Sequence, residues 1–205
     1  MIDGHAALRR LREGNERFAS EAQTGEMFLK RMRSAKTDVA QEPIAIILGC
    51  SDARVPIEMV FDQELGDLFV IRVAGNVVSP SQWGSAEFAA EAFGTRLIVV
   101  LGHSRCGAVV GTLDVLRQPR DPMSRHTRYI ADLIEPAVAG LLAPELGHDL
   151  GTVIRESIRA NVRHSVERLR HGSSILERMV ESEGLLVVGA EYSLETGRVD
   201  FFEGA

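Results

Sequence analysis

Residues 44–56 read IAIILGCSDARVP, and residues 97–107 read LIVVLGHSRCG. Both stretches begin with an unbroken run of apolar residues that ends at a glycine. Such a run predicts a strand covered on both faces, as in a parallel sheet. Chemically reactive side chains follow each run. In open parallel sheets, sites form beyond the carboxyl ends of the strands, so the two stretches predict one site at that edge.

The rest of the chain alternates strands with helices. Further strands are predicted at residues 68–73, 185–190 and, at the sheet edge, 198–202. Helices are predicted from apolar spacing and end signals at residues 5–19, 82–93, 106–117, 152–169 and 173–182. This order predicts an α/β fold with a mostly parallel central sheet flanked by helices.

The domain organisation is predicted from length and composition. A chain of 205 residues suits one domain. We expect residues 1–42 to form an N-terminal helical arm and connector, and residues 43–205 to form the α/β core. Residues 118–149 contain four prolines and show no clear element.

Charge and composition exclude several classes of partner. The net charge is −6 and only 5% of the residues are aromatic, which argues against nucleic-acid binding and against an anionic membrane surface. No apolar run approaches the roughly 18 residues of a membrane span, and the N-terminus lacks a signal-peptide pattern. We therefore expect a cytoplasmic protein whose partners are small molecules and other copies of itself.

The two cysteines of the chain, Cys50 and Cys106, lie in the two quoted stretches together with His103. If the two strands are neighbours, two thiolates and an imidazole converge on one point, which is a ligand set for Zn²⁺. Three protein ligands beside one carboxylate, Asp52, favour a catalytic over a structural zinc, because structural sites usually have four. A disulfide between the cysteines is the simpler alternative.

The glycines of the second stretch are predicted to serve the same site. Gly102 and Gly107 would let backbone approach a metal or a small anion, and the N–H of Gly107 is a candidate donor to substrate. Cys106 at a helix start would have its thiolate favoured by the helix dipole.

At these residues the chain resembles the β-class carbonic anhydrases, from about residue 44 to the C-terminus. Further segments carry the same resemblance: residues 66–76 (GDLFVIRVAGN), 161–163 (NVR) and 189–197 (GAEYSLETG). The resemblance implies zinc held by Cys50, His103 and Cys106. It implies reversible hydration of CO₂ to bicarbonate and a proton, by attack of zinc-bound hydroxide.

The resemblance also implies a role for the pair of Asp52 and Arg54, here called the dyad. Asp52 on zinc fills the fourth position and closes the site, whereas Asp52 paired to Arg54 leaves that position open. The family forms dimers or multiples of dimers, so a homodimer or homotetramer is expected, with the N-terminal helix packed on a neighbouring subunit. The residues matching the family's CO₂ pocket are Phe69, Ala74 and Phe88.

One departure from the family concerns a regulatory bicarbonate site that some members build from Trp, Arg and Tyr. Arg72 and Tyr192 match two of these positions, but Ile47 stands at the Trp position. Two other functions stay open at this point: hydrolysis of a CO₂ analogue such as carbonyl sulfide or carbon disulfide, and a non-catalytic module that binds zinc or bicarbonate.

Overall fold

The computed structural model describes residues 2–20, 41–118, 123–143, 147 and 149–205. Its strands are β1 (Ala45–Gly49), β2 (Leu68–Arg72), β3 (Leu97–His103), β4 (Leu186–Tyr192) and β5 (Val199–Glu203). They form one sheet in the order β2-β1-β3-β4-β5. Only the β4–β5 pair of this sheet is antiparallel. The predicted α/β class and mostly parallel sheet are therefore confirmed.

The two quoted stretches form the central strands, and this explains their unbroken apolar runs. Every residue of β1 and of β3 is buried. Side chains alternate between two core layers: Ile47 and Val99 lie in one layer, Ile46 and Ile98 in the other. A strand covered on both faces needs apolar residues at every position, which is the pattern the sequence shows.

Helices cover both faces of the sheet. They are α1 (Gly4–Ala19), α2 (Ile57–Val60), α3 (Pro80–Ala92), α4 (Gly107–Arg117), α5 (Arg125–Val138), α6 (Leu150–His171) and α7 (Ser174–Ser182). Short 3-10 turns follow β2 at Ala74–Asn76 and α5 at Ala139–Leu142. No helix among these described segments is long and apolar enough to cross a membrane.

Helix α5 lies in the segment for which the sequence predicted no element. Pro136 falls inside its last turn, and the surrounding prolines hid the apolar spacing. The signal was present, because Ile130, Ile134 and Val138 recur every four residues and Ser124 caps the helix by accepting from the backbone N–H of Thr127.

Helix α1 packs on the sheet of its own chain. Asp3 caps its start by accepting from Ala6 N, and Leu8 and Leu11 are buried in the core layer beneath it. The Asn15 amide donates to the backbone oxygens of Val60 and Gly197. Packing of this arm on a neighbouring subunit stays a prediction, and most of the predicted connector, residues 21–40, lies outside the described residues.

Helix α6 approaches the central strands closely at two glycines. A Cβ built on Gly102 would lie 2.6 Å from Cγ2 of Val162, and one built on Gly189 would lie 2.8 Å from its Cγ1. The glycines let the helix backbone sit close above β3 and β4. The structure therefore gives Gly102 a packing role against Val162, and its expected role in letting backbone approach a metal or anion stays a prediction.

Candidate metal centre

The three predicted ligands meet at the carboxyl edge of the sheet. Cys50 directly follows β1, His103 is the last residue of β3, and Cys106 is the N-cap of α4. Strands β1 and β3 are neighbours, with Gly49 opposite Leu101. The ligand atoms of the three residues lie within 4.8 Å of one another, and all three residues are buried. The adjacency that the sequence required is therefore confirmed.

The imidazole of His103 is oriented by the backbone. Its Nδ1 lies 3.0 Å from Ser104 O, which makes Nδ1–H the donor and leaves a lone pair on Nε2. Nε2 is buried and, within the described part of the chain, has no hydrogen-bond partner. A buried nitrogen without a partner is costly unless a ligand occupies it, and metal-binding imidazoles are commonly oriented in this way. The donor set thus fits Zn²⁺.

The two thiols lie close together without being bonded. Cys50 Sγ and Cys106 Sγ are 4.0 Å apart and both cysteines are free, which contradicts the disulfide alternative. The hydrogen bond between them lowers the pKa of Cys50 to about 4 and raises the pKa of Cys106, as expected when two thiols share one proton. The lowered pKa favours the thiolate form of Cys50, and the thiolate is the species that binds zinc.

The Asp52–Arg54 dyad is formed. Arg54 Nε donates to Asp52 Oδ1 at 3.0 Å and Nη2 donates to Oδ2 at 2.7 Å, while Arg54 N adds a third bond of 2.9 Å to Oδ1. The side-chain hydrogen bond from Arg54 holds the pKa of Asp52 well below its usual range. Asp52 Oδ2 remains 3.9 Å from His103 Nε2. The carboxylate thus lies beside the three ligands and is turned toward Arg54.

Arg72, at the end of β2, binds the backbone of the same loop. Its Nε donates to Cys50 O at 3.0 Å and its Nη2 donates to Asp52 O at 2.6 Å. Tyr192 lies on β4, with β1 and β3 between it and β2. In this structure Arg72 therefore supports the loop that carries Cys50 and Asp52.

The segment between His103 and Cys106 is held by Glu195. Ser104 Oγ donates to Glu195 Oε2 at 2.8 Å, and Arg105 Nη2 pairs with Glu195 Oε1 at 2.8 Å. Arg105 has a φ of 56°, an uncommon value for a residue with a side chain. Cys106 follows His103 by three residues, and this tight turn brings it back to the same side of the sheet edge.

The predicted pocket residues divide into two groups. Ala74 begins the 3-10 turn whose Gly75 N–H contacts Cys50 Sγ at 3.4 Å, and Gly107 follows Cys106, so both are beside the ligands. Phe69 instead lies opposite Ile46, three positions before the end of β2.

Phe69 belongs to an aromatic cluster that faces α3. Its ring centroid lies 6.2 Å from that of Phe88 and 6.1 Å from that of Phe93. Phe88 is 55% exposed. Within one chain, the structure therefore does not bring Phe69 and Phe88 to the metal ligands.

Sequence comparisons identify the same family throughout. A model of the family described as "Carbonic anhydrase" matches residues 45–199. The chain is 35% identical to a carbonic anhydrase of Mycolicibacterium smegmatis, covering 95% of this chain and 91% of that protein. It is 36% identical to carbonic anhydrase 2 of Mycobacterium tuberculosis, covering 94% and 90%.

Structural comparisons find the same fold. A tetrameric β-carbonic anhydrase of Sordaria macrospora superposes with a TM-score of 0.71 at 23% identity, covering 97% of this chain and 95% of that one. A Coccomyxa β-carbonic anhydrase in complex with acetazolamide gives 0.68 at 25% identity, covering 93% and 83%. With its Cys-His-Cys group at the sheet edge, the chain belongs to the β-class carbonic anhydrase family.

Proposed function

We propose that this protein catalyses the zinc-dependent, reversible hydration of CO₂ to bicarbonate and a proton. One observation carries the proposal: Cys50, His103 and Cys106 present three buried ligand atoms while the Asp52 carboxylate beside them is paired to Arg54. Three protein ligands and a free fourth position are the arrangement of catalytic zinc, whereas four protein ligands mark a structural site.

Three atoms would hold the ion: the sulfurs of Cys50 and Cys106 and Nε2 of His103. When bound, zinc supplies a Lewis acid that makes water nucleophilic near neutral pH. Two thiolates and a neutral imidazole cancel the charge of the ion. Zinc held in this way would lower the pKa of bound water less than zinc held by three imidazoles. We therefore expect the hydration rate to rise toward alkaline pH.

The dyad keeps the fourth position accessible. Two side-chain hydrogen bonds from Arg54, of 3.0 and 2.7 Å, hold both carboxylate oxygens of Asp52. These charge-assisted bonds are stronger and more directional than neutral ones. Arg54 thus prevents Asp52 from turning onto the metal position. Asp52 remains beside that position as a hydrogen-bond acceptor that can orient the reacting water.

The CO₂ pocket is proposed to be completed by a second subunit. Among the residues that the structure describes, no neighbouring atom lies within 4 Å of a Cβ built on Gly107, which leaves space for substrate near its N–H. Ala74 lies beside Cys50, whereas the Phe88 ring is largely exposed and available to another copy of the chain. We propose that the protein is a homodimer or homotetramer, which light scattering coupled to size-exclusion chromatography tests. We also propose that it acts in the cytoplasm, which fractionation of the source cells tests.

The experiment is stopped-flow CO₂ hydration from pH 6 to 9, with zinc quantified per chain. We expect about one zinc per subunit. A zinc-loaded protein that does not hydrate CO₂ would refute the proposal and favour a non-catalytic module. Faster turnover of carbonyl sulfide or carbon disulfide than of CO₂ would favour the analogue hydrolase instead.

Arg54→Ala tests the dyad. We expect a loss of about 10- to 100-fold in kcat/KM with zinc content unchanged, because Asp52 is then free to block the fourth position. Arg128→Ala is the matched control, since Arg128 also forms an exposed ion pair, with Asp132 on α5. Near-normal hydration by the Arg54 variant would show that the dyad does not control access.

A further inference from the structure

The turn after β2 is part of the support of the metal centre. Gly75 N donates to Cys50 Sγ at 3.4 Å. Gly75 and Asn76 have φ values of 71° and 45°, so the turn passes through left-handed conformations at two successive residues. For a residue with a side chain, such as Asn76, this conformation persists only where surrounding contacts impose it.

Two side chains of α6 supply those contacts. Asn161 Nδ2 donates to Gly75 O at 2.8 Å, and Ser165 Oγ donates to Asn76 O at 3.0 Å. Both residues are 1% exposed. They lie one helical turn apart, on the side of α6 that also carries Val162 against β3 and β4. The helix that packs on the central strands thus also holds the turn.

The Asn161 amide is committed to this contact. Its Oδ1 is buried and has no hydrogen-bond partner among the described residues, so the bond from Nδ2 to Gly75 O is the one that the structure shows for this side chain. A carbonyl oxygen only accepts, which requires the amide nitrogen to face it. The turn is also packed closely against Ile134, because a Cβ built on Gly75 would lie 2.9 Å from Ile134 Cδ1.

We propose that Asn161 is a positioning residue that, by holding the peptide groups around Gly75, aims the Gly75 N–H at the Cys50 sulfur. This inference rests on the proposed zinc site. An N–H donor withdraws electron density from a thiolate and fixes the direction of its lone pairs. Asn161 therefore adjusts how strongly Cys50 donates to the metal, although it touches neither the metal nor Cys50.

The first test uses cobalt(II)-substituted protein, whose thiolate-to-metal absorption reports the donor strength of Cys50. In Asn161→Ala we expect this band to shift to lower energy, because a thiolate without its N–H donor is more electron-rich. Zinc affinity should fall by about tenfold, because the Cys50 sulfur is no longer held in a fixed direction toward the other two ligands. Ser165→Ala is the matched control: it removes a buried bond to the same turn but one residue away from Gly75, so its band should stay in place.

The second test measures the contact directly in the unmutated protein. After substitution with cadmium-113, a scalar coupling between the Gly75 amide proton and the metal, transmitted through Cys50, is expected. It should be lost in Asn161→Ala and kept in Ser165→Ala. Because the wild-type measurement needs no variant, it stands even if Asn161→Ala does not fold.

Either of two results would overturn the inference. One is absence of the coupling in the wild-type protein. The other is a cobalt spectrum of Asn161→Ala that superimposes on the wild type while stability falls as in Ser165→Ala, which would leave Asn161 a purely structural role. Both readouts are independent of turnover, so a chain that binds metal but does not hydrate CO₂ fails the proposed function alone. A chain that binds no cobalt fails both.

Discussion

The contact between Gly102 and Val162 allows a quantitative test of how α6 and β3 are packed. A Cβ at position 102 would lie 2.6 Å from Val162 Cγ2, too close for any real pair of carbons. Val162 is fully buried and its other methyl group already faces Gly189. The side chain therefore has no direction in which to yield, and Gly102→Ala must displace the helix from the strand.

The expected cost follows from packing energetics. Overpacking of a core costs about 1–3 kcal/mol, so we expect Gly102→Ala to lower the free energy of unfolding by about 2 kcal/mol. Val162→Ala removes two buried methyl groups and leaves a cavity, which costs about 2 kcal/mol. In the double variant the new methyl group occupies part of that cavity. Its cost should therefore be at least about 1 kcal/mol less than the sum of the two.

The assay is equilibrium unfolding in urea of the zinc-loaded and zinc-free proteins. Gly111→Ala is the control: Gly111 lies within α4, and no neighbouring atom in the described segments lies within 4 Å of its Cβ position. There we expect a gain of about 0.5–1 kcal/mol, since alanine is the better helix former. Strict additivity of Gly102→Ala and Val162→Ala would refute the packing argument. A stable Gly102→Ala that loses zinc would support the role in metal approach instead.

Three further outcomes are expected. Arg72→Ala should lower zinc affinity by about tenfold, because the hydrogen bonds to the carbonyls of Cys50 and Asp52 are lost. Competition with a chelating dye measures the affinity. Arg96→Ala removes contacts to carbonyls far from the site and should leave zinc affinity unchanged. Because the pKa of Asp52 is depressed, its ion pair with Arg54 is present at any pH above 3.8, the usual pKa of an aspartate. The ion pair is lost only as pH falls well below that value. A carboxyl ¹³C titration of Asp52 with a midpoint at or above 3.8 would therefore contradict the dyad. Removal of zinc by dipicolinate should lower the unfolding temperature, since free zinc at about a thousandfold its Kd stabilises the folded state by about 4 kcal/mol. An unchanged unfolding midpoint in differential scanning calorimetry would show that zinc binding contributes nothing to stability.

Much of the fold was readable from local pattern. The central strands are apolar at every position because both faces are covered, and such runs are visible in the sequence without any tertiary knowledge. Helix α5 was missed because Pro136 lies inside it and other prolines flank it. Proline is a strong local signal against a helix, whereas the burial of Ile134 that compensates for it is a tertiary contact.

The supports of the site could not be predicted in the same way. Asn161 and Gly75 are 86 residues apart in sequence, and nothing in either local pattern marks their hydrogen bond. A glycine before a ligand suits either close packing or metal approach, and the sequence offered only the second role for Gly102. The position of Val162 adds the packing role, which no local pattern marks.

By itself, the sequence determined the strand runs and the types of ligand, because apolar periodicity and the chemistry of thiols and imidazole are local properties. The order of β1 beside β3 was decided by tertiary structure, as was the geometry that places the Asp52 carboxylate beside the ligands while it is paired with Arg54. Separation, angle and hydrogen bonding between distant residues depend on how whole elements pack. That packing is a sum over many weak contacts, which no short stretch of residues contains.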